Sequence, residues 1–507
     1  MTDDALPQRD DARLLRWALI VATAVTAVRL AAVFATPLEL YPDEAQYWLW
    51  AQALDWGYAS KPPMIAWLIA LSTSIGGDGE AWVRLFAPLL HGATALALFA
   101  IGRRLYDAGV GLFACVLWLL TPAVALSSAF IATDAPFMLG LALTLWAYAA
   151  LLQAPDGRAR LIRGVLVGAA AGLALLSKQA ALYLALGFVL HAAVDREARR
   201  AWGGWAWAAA LLAIAAVIAP NLVWQAHHGF ATVTHTARVN AGLGAVQPFE
   251  PIGGLEFFAA QFGVFGPIPF AVLVTGAVLA AVRRRIERSD RLLLCFALPP
   301  LVAMTVFAVF REAEANWGAA AFPAATVLVC AWLLRWRAKR WIAATLAIQG
   351  AAAFLLAAAV FAPSLADAVG QSRSLKRMRG WQETAAFVVA QARAQAPLTA
   401  VVVEDRSLFN ELAYYGRDLF SAPGAPPLRM RPPDGRALNQ AELIAPLGPA
   451  EGGRALIAAQ GETPPRLASE FLEVQSTGKA TVRLDRKNVR PLEAWLGLGY
   501  APSSRSP

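Results

Sequence analysis

Long apolar runs separated by short polar segments occupy the chain from about residue 14 to about residue 362. An α-helix needs about 20 mainly apolar residues to cross a hydrocarbon core of roughly 30 Å. The pattern therefore predicts a polytopic α-helical membrane protein with about eleven transmembrane helices, preceded by a polar segment at 1–13. The predicted spans are 14–36, 82–102, 109–128, 135–152, 164–177, 180–194, 204–222, 257–281, 292–310, 317–334 and 341–362.

Two parts of this membrane domain depart from the simple pattern. The stretch Met64–Ile75 is apolar but too short to cross, so we expect an interfacial helix within the first external loop at 37–81. The fifth and sixth spans are short and meet at Ser177, Lys178 and Gln179. The alternatives for this region are two separate helices, one long span and a re-entrant pair.

The composition changes after about residue 362, where Pro, Gly, Arg and Gln become common and no run long enough to cross a membrane remains. We expect residues 363–507 to form a small external α/β domain. The Pro-rich stretch Ala422–Pro433 is predicted to be a loop. The predicted elements are a helix at Trp381–Gln395 and strands at Thr399–Val403, Ala455–Ala459 and Ala480–Leu484.

Clusters of basic residues fall on alternate loops between the predicted spans. Because cytoplasmic loops carry an excess of Lys and Arg, we expect a cytoplasmic N-terminus and a periplasmic C-terminal domain, in a multi-pass protein of the bacterial inner membrane. This parity requires Lys178 to lie at an external turn. A cleaved signal sequence ending near Ala32–Ala35 is an alternative, but it would break the alternation. The clusters are Arg9, Arg13 and Arg16; Arg103 and Arg104; Arg158, Arg160 and Arg163; Arg196, Arg199 and Arg200; Arg283, Arg284, Arg285, Arg288 and Arg291; and Arg335, Arg337, Lys339 and Arg340.

Composition narrows the functional classes. Hydrophobic residues make up 58% of the 507 residues and charged residues 16%, against roughly 25% charged in soluble domains, which excludes a soluble enzyme. The net charge of +9 comes from 44 basic and 35 acidic residues. These are too dilute to coat nucleic acid, so no nucleic-acid partner is expected. All three cysteines lie in apolar runs, which argues against a disulfide framework and a Cys-rich zinc site.

The external loops hold most of the chemistry. Asp43 and Glu44 follow Pro42 in the first of them. One interpretation is structural, because Pro42 would start a helix and acids complement its N-terminal dipole. The other is catalytic, because a carboxylate at the membrane surface can accept the proton of an attacking hydroxyl. The presence of further acids and cations on the same face favours catalysis by Asp43 and Glu44.

Three external cations are candidates for binding a donor phosphate: Lys61, Arg84 and Lys178. Cations can hold a phosphate whose charge grows as it leaves. Lys61 precedes two prolines that would fix its direction, although a surface turn with an incidental lysine is the alternative. Lys178 lies within an apolar stretch, so it needs a partner or a path to the interface.

Other external residues are candidates for substrate binding or metal ligation. His227, His228 and His235, with Asp134 and Glu314, suggest a metal site, although polar contacts or simple loop histidines are alternatives. A divalent metal is therefore left open and no ligand set is assigned. Arg406 follows a predicted strand together with Glu404 and Asp405, either at a ligand site or in a solvated turn. The candidate substrate-binding residues are Asp134, His228, Arg238, Glu314, Asn316 and Trp317.

The order of these motifs resembles one family. Asp43-Glu44 after the first span, Lys61-Pro62-Pro63 in the same loop, Asp134, Lys178, and the run Glu314–Trp317 are similar to motifs of GT-C integral-membrane glycosyltransferases. That group includes the protein O-mannosyltransferases and the lipid A aminoarabinose transferases. The resemblance covers roughly residues 14 to 360.

The resemblance implies a polyprenyl-phosphate-linked sugar as donor and a hydroxyl of lipid A, a surface glycan or a protein as acceptor. It also implies inversion at the anomeric carbon, with Asp43 as general base. Ser60 stands where aminoarabinose transferases carry an acid that helps to hold a metal, and Gln46 stands where they carry an arginine. These departures favour a different acceptor class within the group.

Two other classes remain as alternatives. Arg29, His91 and Lys178 within apolar segments are also typical of a transporter or flippase of lipid-linked sugars. A transporter would place polar residues near the middle of several helices, whereas here most gather at one side. A scaffold whose external domain binds a partner is the third alternative.

Overall fold

The computed structural model describes residues 5–237, 249–283, 286–368, 375–431, 437, 439–461 and 466–502. Its first three-quarters are helical, and short 3-10 helices occur at Gln179–Leu182, Ala315–Ala321 and Lys376–Met378. The α-helices of this part are α1 (Ala5–Ala35), α2 (Pro42–Ala51), α3 (Met64–Gly76), α4 (Glu80–Arg84), α5 (Phe86–Leu105), α6 (Ala108–Leu120), α7 (Pro122–Ser127), α8 (Asp134–Leu152), α9 (Gly157–Ser177), α10 (Tyr183–Val194), α11 (Arg196–Ala201), α12 (Ala206–His227), α13 (Ala231–His235), α14 (Pro251–Val264), α15 (Pro267–Arg283), α16 (Arg288–Phe310), α17 (Phe322–Arg335), α18 (Lys339–Phe361) and α19 (Pro363–Ala368).

Within the described residues, eight helices are long and apolar enough to cross a membrane. Three shorter apolar helices, at Ala108–Leu120, Gln179–Val194 and Pro267–Val282, overlap the other predicted spans, although the predicted span 109–128 is divided into Ala108–Leu120 and Pro122–Ser127. A polytopic helical protein is thus confirmed, whereas the total of eleven spans stays a prediction. The apolar helix Met64–Gly76 matches the short helix expected in the first external loop.

Local sequence explains where several helices start and stop. Asp107 and Asp156 cap α6 and α9 by accepting hydrogen bonds from Val110 N and Ala159 N, both at 2.8 Å. The predicted span 257–281 is wrong as a single helix, because the chain breaks between α14 and α15. Gly266 has φ +110° there, and the following proline lacks the amide hydrogen that would continue the helical ladder.

The basic loops gather at one end of the helix bundle. Arg103 donates to Asp11 at 3.0 Å, Arg288 pairs with Asp195 at 3.3 Å, and Arg335 pairs with Asp290 at 2.6 Å. The acidic and polar loops containing α2 and α3 lie with the C-terminal domain, which contacts them directly. The bundle therefore has one basic end and one end of mixed charge.

The C-terminal domain is built on a five-stranded sheet of order β2-β1-β3-β5-β4. Strand β1 is parallel to β2 and β3, whereas β5 is antiparallel to β3 and β4. The all-apolar β1 is buried throughout, as expected of a central parallel strand. The elements are α20 (Trp381–Ala394), β1 (Ala400–Val403), α21 (Arg406–Tyr415), α22 (Arg417–Phe420), β2 (Leu428–Met430), α23 (Gln440–Ile444), β3 (Arg454–Gln460), a 3-10 helix at Arg466–Glu470, β4 (Phe471–Arg483) and β5 (Val489–Tyr500).

The α/β class of this domain is confirmed, with two corrections. Strand β2 lies within the Pro-rich stretch that was predicted to be a loop. The predicted strand at Ala480–Leu484 is only the end of β4, which forms a long hairpin with β5, and neither the rest of β4 nor β5 was predicted. The edge strand β4 is largely exposed, so its sequence lacks a strong hydrophobic signal.

The C-terminal domain packs firmly on the first external loop. The ring of Trp48 on α2 meets Tyr414 of α21 edge to face at 4.9 Å. Tyr415 accepts a hydrogen bond from Leu40 N at 2.8 Å, and the carboxylate of Glu39 accepts bonds from the amides that begin α20. These contacts are mostly buried, so they hold α21 in one position above α2.

Candidate active site

Helix α2 presents the two adjacent acids in opposite surroundings. Pro42 occupies its first turn, where no intrahelical partner for an amide hydrogen exists. Successive residues of a helix point about 100° apart. Asp43 consequently faces the open side of the loop, with 41% of its side chain exposed, while Glu44 turns inward with 2% exposed.

Glu44 forms a buried ion pair with Arg84, at 2.8 Å between Oε2 and Nη2. Arg84 is fully buried and also donates to the carbonyl oxygens of Leu38 and Glu39, at 2.9 and 2.7 Å. Glu44 additionally accepts a bond from Ile131 N at 2.9 Å. The pair therefore ties the first external loop to α4 and to the segment before α8.

This arrangement does not support two of the expected roles, which stay predictions. Arg84 was expected to bind the donor phosphate, but its hydrogen-bond donors are directed at Glu44 and at two carbonyls, away from solvent. Glu44 was expected to act in catalysis, but its oxygens are engaged by Arg84 and by backbone amides. Removing one member of such a buried pair would leave an uncompensated charge, so the position of the loop depends on both partners.

Asp43 meets a cation from the other domain. Its Oδ1 accepts a hydrogen bond from Arg406 Nη2 at 3.0 Å. Arg406 Nη1 donates to Gln46 Oε1 at 2.6 Å, one helical turn further along α2. Oδ2 of Asp43 makes no hydrogen bond to any residue that the structure describes. One oxygen of this carboxylate is therefore held, and the other is open to a substrate.

Lys178 has the partner that its apolar setting requires. Its Nζ lies 2.8 Å from Asp134 Oδ1, and both side chains are mostly buried. Asp134 begins α8 and Lys178 follows the last residue of α9. The two helices thus bring an acid and a cation together beside the first external loop.

Lys61, unlike Lys178, has no ion-pair partner among the described residues. In the described part of the chain, no carboxylate lies within 4 Å of its Nζ and no hydrogen bond joins it. Burial is the main cause that lowers the pKa of this ammonium, and the charges of Lys178 and Arg406 lower the pKa further, against Asp43 and Asp134. Lys61 therefore lies among the four charges just described and is free to take an anion.

The remaining candidates occupy more peripheral positions. His228 stacks on Trp224 with ring centroids 4.0 Å apart and is exposed. Glu314 and Asn316 are exposed near the 3-10 helix Ala315–Ala321, and Trp317 packs against Phe307 at 5.9 Å. Glu314 is close enough to Tyr41 to raise the pKa of that phenol, although burial is the larger cause. Arg238 lies outside the described residues.

The described residues do not form the metal site that His227, His228 and His235 suggested as one alternative. Among the described residues, no three His, Cys, Asp or Glu side chains cluster closely enough to hold an ion. Ser60, next to Lys61, offers no carboxylate.

Arg29, one of the residues that suggested a transporter, has a structural explanation. Its guanidinium donates to Ser128 Oγ at 2.9 Å and to the carbonyl oxygen of Leu119. His91 is hydrogen-bonded to Ser127 at 3.0 Å. Both groups therefore join α1 and α5 to the segment around α7, and neither contact indicates a transport path.

The chain is similar to proteins of known activity. Residues 60–224 match the family model of dolichyl-phosphate-mannose-protein mannosyltransferases. The lipid A galacturonosyltransferase RgtD of Rhizobium johnstonii is 33% identical over 409 residues, which cover 80% of this chain and 83% of that protein. The chain belongs to the GT-C family of integral-membrane glycosyltransferases. Two further likenesses agree with this membership.

The undecaprenyl phosphate-α-4-amino-4-deoxy-L-arabinose arabinosyl transferase of Pseudomonas aeruginosa is 29% identical over 150 residues, or 27% of each chain. The crystal structure of ArnT from Cupriavidus metallidurans bound to undecaprenyl phosphate superimposes with a TM-score of 0.64 at 16% identity, over 94% of this chain and 97% of that one. The fold is thus that of a GT-C enzyme, and its apolar helices are long enough for a multi-pass membrane protein.

The contact of Arg406 with Asp43 and Gln46 was not predicted from the sequence. Arg406 was noted only as one of three polar residues after a strand, and Gln46 only as a departure from a family pattern. The structure joins them by a hydrogen bond across 360 residues of sequence. The one available signal was the position of Arg406 at the carboxyl end of a buried parallel strand, where α/β domains place ligands.

Proposed function

We propose that this GT-C enzyme transfers a sugar from a polyprenyl-phosphate donor to a hydroxyl of lipid A, on the periplasmic face of the membrane and with inversion at the anomeric carbon. The observation that carries the proposal is the half-exposed carboxylate of Asp43 beside the cations Lys61 and Lys178. An acid that can take a proton and cations that can hold a phosphate are the two requirements of this transfer.

The reaction follows from that arrangement. The acceptor hydroxyl gives its proton to Asp43 Oδ2 while its oxygen forms a bond to the anomeric carbon. The bond from that carbon to the phosphate oxygen breaks, and its electron pair leaves with polyprenyl phosphate. Lys61, with Lys178 behind it, stabilises the charge that grows on the phosphate. Asp134 fixes the position of the Lys178 ammonium through their ion pair at 2.8 Å.

The acceptor and the topology rest on separate support. RgtD is a lipid A galacturonosyltransferase, which supports lipid A as acceptor here. Ser60 and Gln46, which differ from the residues of aminoarabinose transferases, would then reflect a different sugar. We had expected them to reflect a different acceptor class. The basic end of the bundle supports a cytoplasmic N-terminus and a periplasmic C-terminal domain.

The remaining candidates are placed around this centre. His228, Glu314, Asn316 and Trp317 line external loops, where they would contact the sugar or the lipid A surface. Arg238, which lies outside the described residues, is proposed from the sequence as a further contact to an anionic group of the substrate.

Mass spectrometry of lipid A tests the proposal. Cells with the gene should carry a lipid A species that is heavier by one sugar residue than the lipid A of cells without it. Complementation with wild type or with Asp418→Asn, an exposed acid of the C-terminal domain, should restore that species, whereas Asp43→Asn should not. Identical lipid A with and without the gene would contradict the assigned acceptor.

A further inference from the structure

The C-terminal domain contributes a side chain to the candidate active site. Arg406 is the first residue of α21, and only Glu404 and Asp405 separate it from the end of β1. Asp405 caps this helix by accepting a hydrogen bond from Leu408 N at 2.7 Å. The cap fixes the first turn of α21, so the start of the Arg406 side chain has a defined direction.

We propose that Arg406 is a positioning residue for the general base Asp43, and that the C-terminal domain is thereby part of the active site. This inference rests on the proposed function. The guanidinium binds Oδ1 of Asp43 at 3.0 Å and so holds the carboxylate plane with Oδ2 toward the acceptor hydroxyl. Arg406 itself touches neither donor nor acceptor in this role.

The surroundings of Arg406 distinguish it from an incidental surface ion pair. Its second amino group donates to Gln46 at 2.6 Å, and the side chain of Gln46 is 3% exposed. The same Gln46 oxygen is approached by Asn410 Nδ2 at 3.4 Å, from a buried residue one turn further along α21. The guanidinium of Arg406 is thus bound to two side chains of α2, Asp43 and Gln46, and burial fixes the position of Gln46.

The domain contact keeps that geometry in place. Tyr414, also on α21, packs on Trp48 and donates to the carbonyl oxygen of Asp78. Ala59 N, two residues before Lys61, donates to Gln440 Oε1 at 2.8 Å. The C-terminal domain therefore holds both the loop that carries the phosphate-binding lysine and the helix that carries the base. A general base must be held within a fraction of an ångström of its working position, and a misplacement of about 1 Å can cost about 100-fold in rate.

The chemistry of arginine makes the role specific. Guanidinium offers two parallel donors in a fixed plane, whereas an ammonium offers one point charge. Lysine at 406 would keep the attraction to Asp43 and lose the simultaneous bond to Gln46. Glutamine would lose the charge as well. We therefore expect Arg406→Lys to be intermediate between wild type and Arg406→Gln.

Steady-state kinetics of the purified full-length enzyme, with a synthetic polyprenyl-phosphate sugar and lipid A, tests the inference. Arg406→Gln should lower kcat by about 10-fold to 100-fold with little change in donor KM, because the base is misplaced and the phosphate site is intact. Arg406→Lys should recover part of kcat. Arg429→Gln, which removes an arginine paired with Glu451 at 3.6 Å within the same domain, should keep wild-type kinetics.

The outcomes separate this inference from the proposed function. A kcat for Arg406→Gln within about twofold of wild type, or a loss confined to KM, contradicts the positioning role while leaving Asp43 as base. If Asp43→Asn itself keeps full turnover, the proposed function fails first. Melting curves recorded on each variant show whether it is folded; the exposed pair should contribute at most about 1 kcal/mol to stability.

Discussion

Asp43 and Glu44 are neighbours in sequence, and each is paired with an arginine from a distant part of the chain, yet their surroundings are opposite. The Glu44–Arg84 pair is sealed from solvent, with further hydrogen bonds to the backbone. The Asp43–Arg406 pair is about 40% exposed on both sides, and one carboxylate oxygen has no partner among the described residues. The Glu44–Arg84 pair, here called the sealed pair, fixes the loop. The Asp43–Arg406 pair, here called the open pair, can contact a substrate.

The comparison teaches that charge alone does not identify an active site. Both acids lie on α2, at the end of the bundle that contacts the C-terminal domain, and each is paired with an arginine. What differs is the number of unused hydrogen-bonding positions and their access to solvent. Buried charges need hydrogen-bond partners within the protein to offset their loss of water. In such a pair no hydrogen-bonding position is therefore left for a substrate.

Removing one member of the sealed pair should give the largest change in stability. Arg84→Gln leaves the buried Glu44 charge without its cation, which should lower the free energy of unfolding by about 3 to 5 kcal/mol. Arg103→Gln, which opens the exposed pair with Asp11, should cost less than about 1 kcal/mol. Thermal unfolding in detergent compares the two. Equal melting temperatures for the two variants would show that the Glu44–Arg84 pair is not structural.

Loss of the unpaired lysine should affect turnover without comparable loss of stability. Lys61→Gln removes a cation from the leaving phosphate, and we expect kcat/KM to fall by about 100-fold. Lys339→Gln, an exposed lysine at the basic end of the bundle, is the matched control and should be unchanged. Wild-type kinetics in Lys61→Gln would remove Lys61 from the phosphate site.

The pH dependence of the reaction should report the same lysine. Burial lowers the pKa of Lys61, so its charge is present at low pH and is lost as pH rises through that lowered value. Donor binding should therefore weaken as the pH rises. This loss should begin at a lower pH than it would with an ordinary lysine, whose pKa is about 10.4. Lys61→Arg should move this limb to higher pH because guanidinium stays charged. An alkaline limb that is identical in both proteins would contradict the assignment.

The smallest effect is expected at a second buried acid under the domain contact. Glu411 is 1% exposed, and neither of its oxygens has a hydrogen-bond partner among the described residues. Burial, with help from Glu39 and Glu44, raises its pKa. The folded state then binds this proton more tightly than the unfolded state, so stability is full below the ordinary glutamate pKa of about 4.3 and falls as pH rises.

Glu411→Gln removes the titrating group and should flatten that part of the pH dependence of stability. We expect a gain of up to about 1 kcal/mol at pH 8 and almost none at pH 4. Melting temperatures across this range measure it. A stabilisation that is as large at pH 4 as at pH 8 would show that the effect is not protonation.

The membrane domain was largely predictable because the bilayer imposes span length and loop charge. The positions of Asp43, Lys61, Asp134 and Lys178 at one face followed from the alternation of basic loops, and the structure brings them together. The sealing of Glu44 by Arg84 could not be predicted, since sequence patterns do not reveal which of several external charges pair with each other.

The contribution of the C-terminal domain was beyond sequence reasoning for a different reason. Arg406 reaches Asp43 only through the docking of α21 on α2, a contact between residues 363 positions apart. The break at Gly266 and Pro267 was visible as residue types, but the apolar run across it masked the end of the helix. The exposed strand β4 had no periodic signal to detect.

The account depends most on Asp43, and the initial rate of polyprenyl-phosphate release by purified Asp43→Asn enzyme tests it most directly. General-base catalysis contributes about 100-fold to 10,000-fold, so the rate should fall by that factor while the melting temperature stays that of the wild type. Glu44→Gln should show the reverse pattern, with a lowered melting temperature and a smaller loss of rate per folded molecule. A fully active Asp43→Asn enzyme would contradict the central claim.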